Sequence, residues 1–266
     1  MGKQGKYSQI IVHIFKKYYT QNAEIVYFER EDIDKAAKEL GLKVPKNIGD
    51  NIYSFKSRAK LPEEITEKAP IGKAWVIKNL SNSKYAFVTT SCARILPDQM
   101  LTEIKIPDAT PGLVAKYALS DEQALLAKLR YNRIVDIFTG VTCYSLQNHL
   151  RTTVENIGQI EIDELYVGID RNGLHYIIPI EAKGGRDEIS PVQIENDIKL
   201  CRQKFPHLIC RAIATQTIGN DIIAVIELTL IGDEIKKVTE KHYKLVPPEN
   251  ISSEELIQFT QRISNL

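Results

Sequence analysis

The chain has 266 residues, of which 43% are hydrophobic and 26% are charged, enough for a buried core in one large domain or two smaller ones. Its net charge of +1 divides unevenly: residues 1–100 hold 17 Lys and Arg against 11 Asp and Glu, a balance of +6, whereas residues 101–266 hold 18 against 23, a balance of −5. The sequence has no run of 18 apolar residues, no signal-peptide core and no CxxC pair, so we expect a cytoplasmic protein without a membrane span or structural zinc.

Residues 1–93 are predicted to form a first module. Its predicted elements are a helix over Tyr7–Tyr19, a strand at Ile25–Phe28, a helix over Arg30–Leu40 that ends at Gly41, a helix from Pro45 to Ser57, and strands at Lys73–Asn79 and Lys84–Thr90. The order helix, strand, helix, helix, strand, strand is that of a winged-helix DNA-binding domain. The basic charge of this part suits a DNA-gripping module, although ordinary variation between two domains would give the same balance.

The third predicted helix carries a polar stripe that suits DNA. Its members, spaced i, i+4, i+7 and i+11, are Asn47, Asn51, Ser54 and Arg58. Asn pairs well with adenine edges in the major groove and Arg with guanine or phosphate, while Lys46 and Lys56 are placed to contact the DNA backbone. A solvated helix face that contacts nothing is the alternative interpretation.

Residues 94–119, with three prolines, are predicted to connect this module to a second one at 120–266. The second module's predicted elements are a helix from Ser120 to Phe138, a polar helix over Ser145–Val154, strands at Gln159–Ile169 and Leu174–Lys183, a helix over Ser190–Lys204, strands at His207–Thr217, Asp221–Leu230 and Glu234–Val246, and a last helix capped by Ser252. Upstream of the first hairpin, His149 and Arg151 are candidates for contacting DNA.

The hairpin formed by the first two of these strands brings charged side chains together. Asn172-Gly173 predicts a three-residue loop that pairs Asp170 with Leu174. In that register Asp163 faces Glu181 and Glu161 faces Lys183, with all four on one face of the sheet. A two-residue loop would shift the register by one residue and scatter them.

Two facing carboxylates suit a hard cation such as Mg²⁺. A lysine beside them can orient or deprotonate a water and stabilise charge on a phosphorane, as phosphodiester hydrolysis requires. A cluster of salt bridges on an exposed sheet face is the alternative. From spacing alone, the two interpretations are balanced.

The string Asp163, then Glu181-Ala182-Lys183, then a helix and a strand resembles the PD-(D/E)xK nuclease superfamily, with Ile162 in place of the usual proline. The segments at 45–55 and 158–168 look like type II restriction endonucleases. The resemblance implies that Asp163, Glu181 and the Ala182 carbonyl bind Mg²⁺ and that Lys183 is catalytic.

The resemblance also implies a fold, a substrate and further residues. Gln193 resembles a polar helper of some of these nucleases, and Glu155 is a candidate additional ligand, although a helix-end glutamate with no ligand role is the simpler reading of Glu155. The implied fold class is α/β (α+β), a restriction-endonuclease-like mixed sheet flanked by helices behind a winged helix. We therefore expect a sequence-specific endonuclease acting as a homodimer on double-stranded DNA. A repair or junction-resolving nuclease and an inactive DNA-binding regulator are the alternatives.

Overall fold

The computed structural model describes residues 5–43, 52, 54–81, 83–118, 122–154, 158–185, 187–219 and 222–263. The described helices are α1 (Lys6–Tyr18), α2 (Arg30–Glu39), α3 (Glu63–Thr66), α4 (Gly112–Tyr117), α5 (Glu122–Tyr131), α6 (Ile134–Thr139), α7 (Pro191–Lys204) and α8 (Ser253–Ile263), with a π-helical turn at Ser54–Arg58 and a 3-10 turn at Pro248–Asn250. The strands are β1 (Ile25–Glu29), β2 (Ala74–Ser81), β3 (Lys84–Thr90), β4 (Glu103–Pro107), β5 (Thr142–Val154), β6 (Gly158–Ile169), β7 (His175–Lys183), β8 (Ile209–Cys210), β9 (Ala212–Ile218), β10 (Ile222–Ile231) and β11 (Glu234–Val246).

The front of the chain folds around a three-stranded antiparallel sheet of order β1-β3-β2. α1 contributes five buried apolar residues to the front core. Among them, Phe15 packs edge-on against Trp75 and Phe87, with ring centroids 5.3 and 5.1 Å apart. These aromatic rings are buried at the centre of the front core. Most of the predicted third helix, namely residues 45–51 and 53, lies outside the described residues.

The rest of the chain builds a mixed α/β layer structure on one large sheet of order β4-β11-β10-β9-β7-β6-β5, with β8 beside β7. β7 runs parallel to β9 and β4 parallel to β11, and the other neighbours on this path are antiparallel. Strand β4 comes from the segment expected to connect the modules.

Helices flank both faces of the large sheet. On β9, Ile213 packs in the cluster that contains Leu126 of α5, whereas Ala212 and Ala214 pack in the cluster that contains Ile198 of α7. Because side chains alternate along a strand, α5 and α7 lie on opposite faces. Among the described residues we find no helix with both the length and the apolar character needed to cross a membrane.

Three predicted elements differ from the structure. The polar segment Ser145–Val154 is not a helix but most of strand β5. The helix predicted to end at Phe138 breaks into α5 and α6, because Arg133 takes a left-handed φ of 51° and the Asn132 amide is held by the backbone N–H of Ala109 at 2.7 Å. The strand predicted over His207–Thr217 is likewise interrupted between β8 and β9.

Candidate active site

The hairpin β6–β7 has the register that its turn predicts. The Asp170 N–H donates to the Leu174 carbonyl at 3.1 Å, and Gly173 takes the left-handed φ of 79° that a three-residue loop needs. The ladder then runs from Ile169 opposite His175 to Glu164 opposite Ile180. The next pair in this register would be Asp163 with Glu181.

The two strands separate at that pair, and the candidate site lies where they part. Beyond Ile180, β7 continues beside β9, with Glu181 paired to Ala214 and Lys183 to Gln216. Asp163 stays attached through its side chain, because its Oδ2 accepts a hydrogen bond from the Ala182 N–H at 2.8 Å. The carboxylate thus replaces a missing ladder bond and is held beside Glu181.

Glu181 is the buried centre of the group, with 1% of its surface exposed. Its Oε1 lies 2.6 Å from the Lys183 Nζ and accepts a hydrogen bond from the Gln193 Nε2 at 2.8 Å. Burial, and then repulsion by Asp163, raise the pKa of Glu181 to about 8. Burial acts to lower the pKa of Lys183, but the attraction of Glu181 outweighs it and the pKa is raised, so this lysine is a cation at neutral pH.

Two further acidic residues belong to this region and were not among the predicted site residues. Glu122, at the start of α5, has its Oε1 3.4 Å from the Lys183 Nζ. Asp197 on α7 is 2% exposed, and burial followed by repulsion from Glu181 and Asp163 raises its pKa. Asp197 is four residues after Gln193 and could have been found by helical spacing. Glu122 is 61 residues from Lys183 and gave no local signal.

Glu161 does not join Lys183 as the hairpin register predicted, because β6 and β7 have already separated beyond the Glu164–Ile180 pair. Its Oε1 lies 3.0 Å from an Arg151 guanidinium nitrogen and 3.5 Å from the His149 Nδ1. His149 also approaches the Gln123 amide nitrogen at 2.8 Å and takes a left-handed φ of 47°, rare for a residue other than glycine. His149 and Arg151 therefore form the rim of the site on the β5 side.

Glu164 is fully buried on the opposite face of the hairpin from Glu181. It accepts a hydrogen bond from the Ser145 hydroxyl at 2.6 Å and lies 2.8 Å from the Arg130 Nε. These contacts tie α5 to β5 and β6. Because Glu122 is on the same helix, they also fix its distance from Lys183.

The donor set fits a magnesium ion. The oxygens of Asp163, Glu181 and the Ala182 backbone are hard ligands. Burial, and after it repulsion by Asp163, raise the pKa of Glu181, and a bound cation would offset both effects by favouring the ionised carboxylate. Within the described ranges, no group of three or more His, Cys, Asp and Glu side chains is arranged to hold a metal ion. Magnesium often binds through one or two carboxylates and takes its other ligands from water and phosphate, so two carboxylates suffice.

Only some of the candidate DNA-contacting residues of the front belong to the described residues. Lys46, Asn47 and Asn51, like the candidate ligand Glu155, lie outside the described residues. Ser54 and Arg58 are the ends of the π-helical turn.

Lys56, in the same turn, makes an internal contact. It is part-buried and donates to the Asn79 side chain at 3.2 Å, and burial lowers its pKa to about 8. Its predicted phosphate contact would require this contact to open.

In comparisons with protein-family models, with curated proteins and with solved structures, nothing matches this chain.

Proposed function

We propose that this chain is a magnesium-dependent endonuclease that hydrolyses phosphodiester bonds of double-stranded DNA. The observation that carries the proposal is the buried Glu181 carboxylate with the Lys183 ammonium 2.6 Å away and Asp163 anchored beside it. Buried charges are costly unless they are paired or bind ions, and titratable groups with perturbed pKa values cluster at functional sites.

Each residue has a distinct task in the proposed reaction. Asp163 and Glu181, with the Ala182 carbonyl, would hold Mg²⁺, which when bound supplies Lewis-acid charge stabilisation. Lys183 stays protonated and stabilises negative charge on the phosphate as water attacks. Gln193 orients the Glu181 carboxylate through its amide, as a ligand's hydrogen-bond partner does in metal sites.

The fold supports the same assignment at a coarser level. A mixed sheet flanked by helices, with the carboxylates at a strand divergence, agrees with a restriction-endonuclease-like domain. The front sheet order β1-β3-β2, with α1 and α2 preceding β2 and β3, agrees with a winged helix. We propose the front as a DNA-binding module, and a homodimer as the form that cuts palindromic sites.

Digestion of supercoiled plasmid with Mg²⁺ tests the proposal. We expect cleavage by the wild type, none in excess EDTA, and none by Asp163→Asn, while the exposed Asp233→Asn serves as the matched control and cleaves normally. Discrete fragments would indicate a site-specific restriction enzyme, and cleavage only at branched substrates a junction-resolving enzyme. DNA binding without cleavage under any divalent cation would refute the nuclease and leave a DNA-binding regulator.

A further inference from the structure

Helix α7 lies between the candidate site and the front module. On its inner side, Gln193 donates to the catalytic Glu181 at 2.8 Å, and Asp197 is buried near the same carboxylate. Glu195, two residues after Gln193, instead contacts the front module. One helix therefore touches both parts of the chain within its first two turns.

The contact of Glu195 is a buried ion pair with the front sheet. Its Oε2 lies 2.6 Å from the Nζ of Lys78 on β2, and the two side chains are only 6% and 15% exposed. Lys199, one turn further along α7, also reaches Glu195, at 2.6 Å. Because Lys199 belongs to α7 itself, removing the Lys78 ammonium would leave Glu195 with a partner on its own helix but would remove the ion pair that joins α7 to the front sheet.

A second contact fixes the start of the helix. Ser190 precedes α7 at its N-cap, is fully buried, and donates its hydroxyl to the Lys56 carbonyl at 2.7 Å. Lys56 belongs to the π-helical turn of the front module. The amino-terminal turn of α7, which presents Gln193 to Glu181, is thus attached to the front module at both Ser190 and Glu195.

We infer that the front module positions the catalytic carboxylate: the Lys78–Glu195 ion pair and the Ser190–Lys56 hydrogen bond set the place of α7, and through Gln193 they orient Glu181. Lys78 is accordingly a positioning residue that acts through the helix. The front module is then needed for cleavage as well as for binding DNA. The inference rests on the proposed nuclease function for its effect on rate, but the contact itself can be measured without cleavage.

Lys78→Met removes the cation and keeps an unbranched, slightly shorter side chain, and Lys84→Met on the neighbouring strand is the matched control. We expect Lys78→Met to lower the cleavage rate at saturating DNA by up to about 10–100-fold, with unchanged DNA affinity, because Lys78 acts through Gln193 and that range is typical of losing an outer-shell partner of a metal ligand. We expect faster amide hydrogen exchange in the first turns of α7. Lys84→Met should change none of these. If Lys78→Met does not fold, Lys78→Arg, which keeps the charge and alters the hydrogen-bond geometry, replaces it.

A double-mutant cycle with Gln193→Ala separates positioning from general destabilisation. If Lys78 acts through Gln193, adding Lys78→Met to Gln193→Ala lowers the rate by no more than about twofold further. Independent, multiplying losses would overturn the inference, as would unchanged exchange in α7 or a loss confined to DNA affinity. A wild-type protein that cuts no DNA would refute the proposed function, and the exchange result would still decide whether the front module holds α7.

Discussion

Replacing Glu181, the proposed metal ligand, by Gln should stabilise the metal-free protein at pH 8 while abolishing the proposed cleavage. The pKa of this carboxyl is raised from its ordinary 4.5 to about 8 by burial and by Asp163. Because the folded-state pKa lies above the unfolded-state value, the folded protein binds more protons between these pH values. The free energy of unfolding therefore falls as pH rises through this window.

The size of the effect follows from the same displacement. At about 1.4 kcal/mol per pH unit, a displacement from 4.5 to 8 corresponds to a ceiling of about 5 kcal/mol. Gln also loses the pairing with Lys183, so we expect a net gain on the order of 1–3 kcal/mol at pH 8 and almost none at pH 4.5.

Urea unfolding in EDTA at several pH values measures this difference. Glu234→Gln replaces a partly exposed carboxyl whose pKa is lowered; it is the control and should not become more stable at pH 8. Adding Mg²⁺ should stabilise the wild type more than Glu181→Gln, because a ligand stabilises the state that binds it. A Glu181→Gln protein no more stable than the wild type at pH 8 would refute the view that this carboxylate is held at a cost to folding.

Three further substitutions test separate parts of the site and the sheet. Lys183→Met should lower the cleavage rate about 10²–10³-fold and leave DNA affinity in a gel-shift assay unchanged, since it removes charge stabilisation; cleavage near the wild-type rate would exclude Lys183 from catalysis. His149→Asn should raise the free energy of unfolding by up to about 1 kcal/mol, because Asn tolerates the left-handed φ of 47° better than His does. His175 has no positive φ, so His175→Asn is the control and should gain no stability; equal effects of the two substitutions would show that backbone strain is not the cause. Gly168→Ala should lower the free energy of unfolding by about 1–3 kcal/mol, because the added Cβ would lie 2.6 Å from the Val141 Cγ1. Gly112→Ala is the control, since Gly112 has open space around it; an unchanged urea-unfolding midpoint for Gly168→Ala would show that β5 and β6 adjust freely.

The hairpin was predictable because its register depends on neighbouring residues. The Asn172-Gly173 turn sets which residues face each other, and counting from it gives the observed pairs down to Glu164 and Ile180. What the count could not show was the separation of the strands at Asp163. That separation arises because β6 follows β5 while β7 follows β9, a matter of tertiary packing, and it sends Glu161 to Arg151 instead of Lys183.

Strand β5 was mistaken for a helix for a physical reason. It lies at the edge of the sheet, and among the described strands it pairs with β6 alone, so most of its side chains, from Tyr144 to His149, are exposed whichever way they point. Such a strand has no reason to alternate polar and apolar residues, and alternation is the pattern by which strands are recognised. Glu122 was missed for a related reason, since its approach to Lys183 exists only once α5 has packed on the sheet.

The irregular backbone of β5 also bears on aggregation. A strand of 13 residues at the end of a sheet would be a template for strand addition by another chain if it were straight. Its pairing with β6 shifts register between Ser145 and Gln147, and four residues after Ser145 the backbone turns left-handed at His149. Arg151 then adds an exposed charge. These interruptions leave no long flat stretch to pair with, so the proposed homodimer would have to form through another surface than a continuous sheet across two copies.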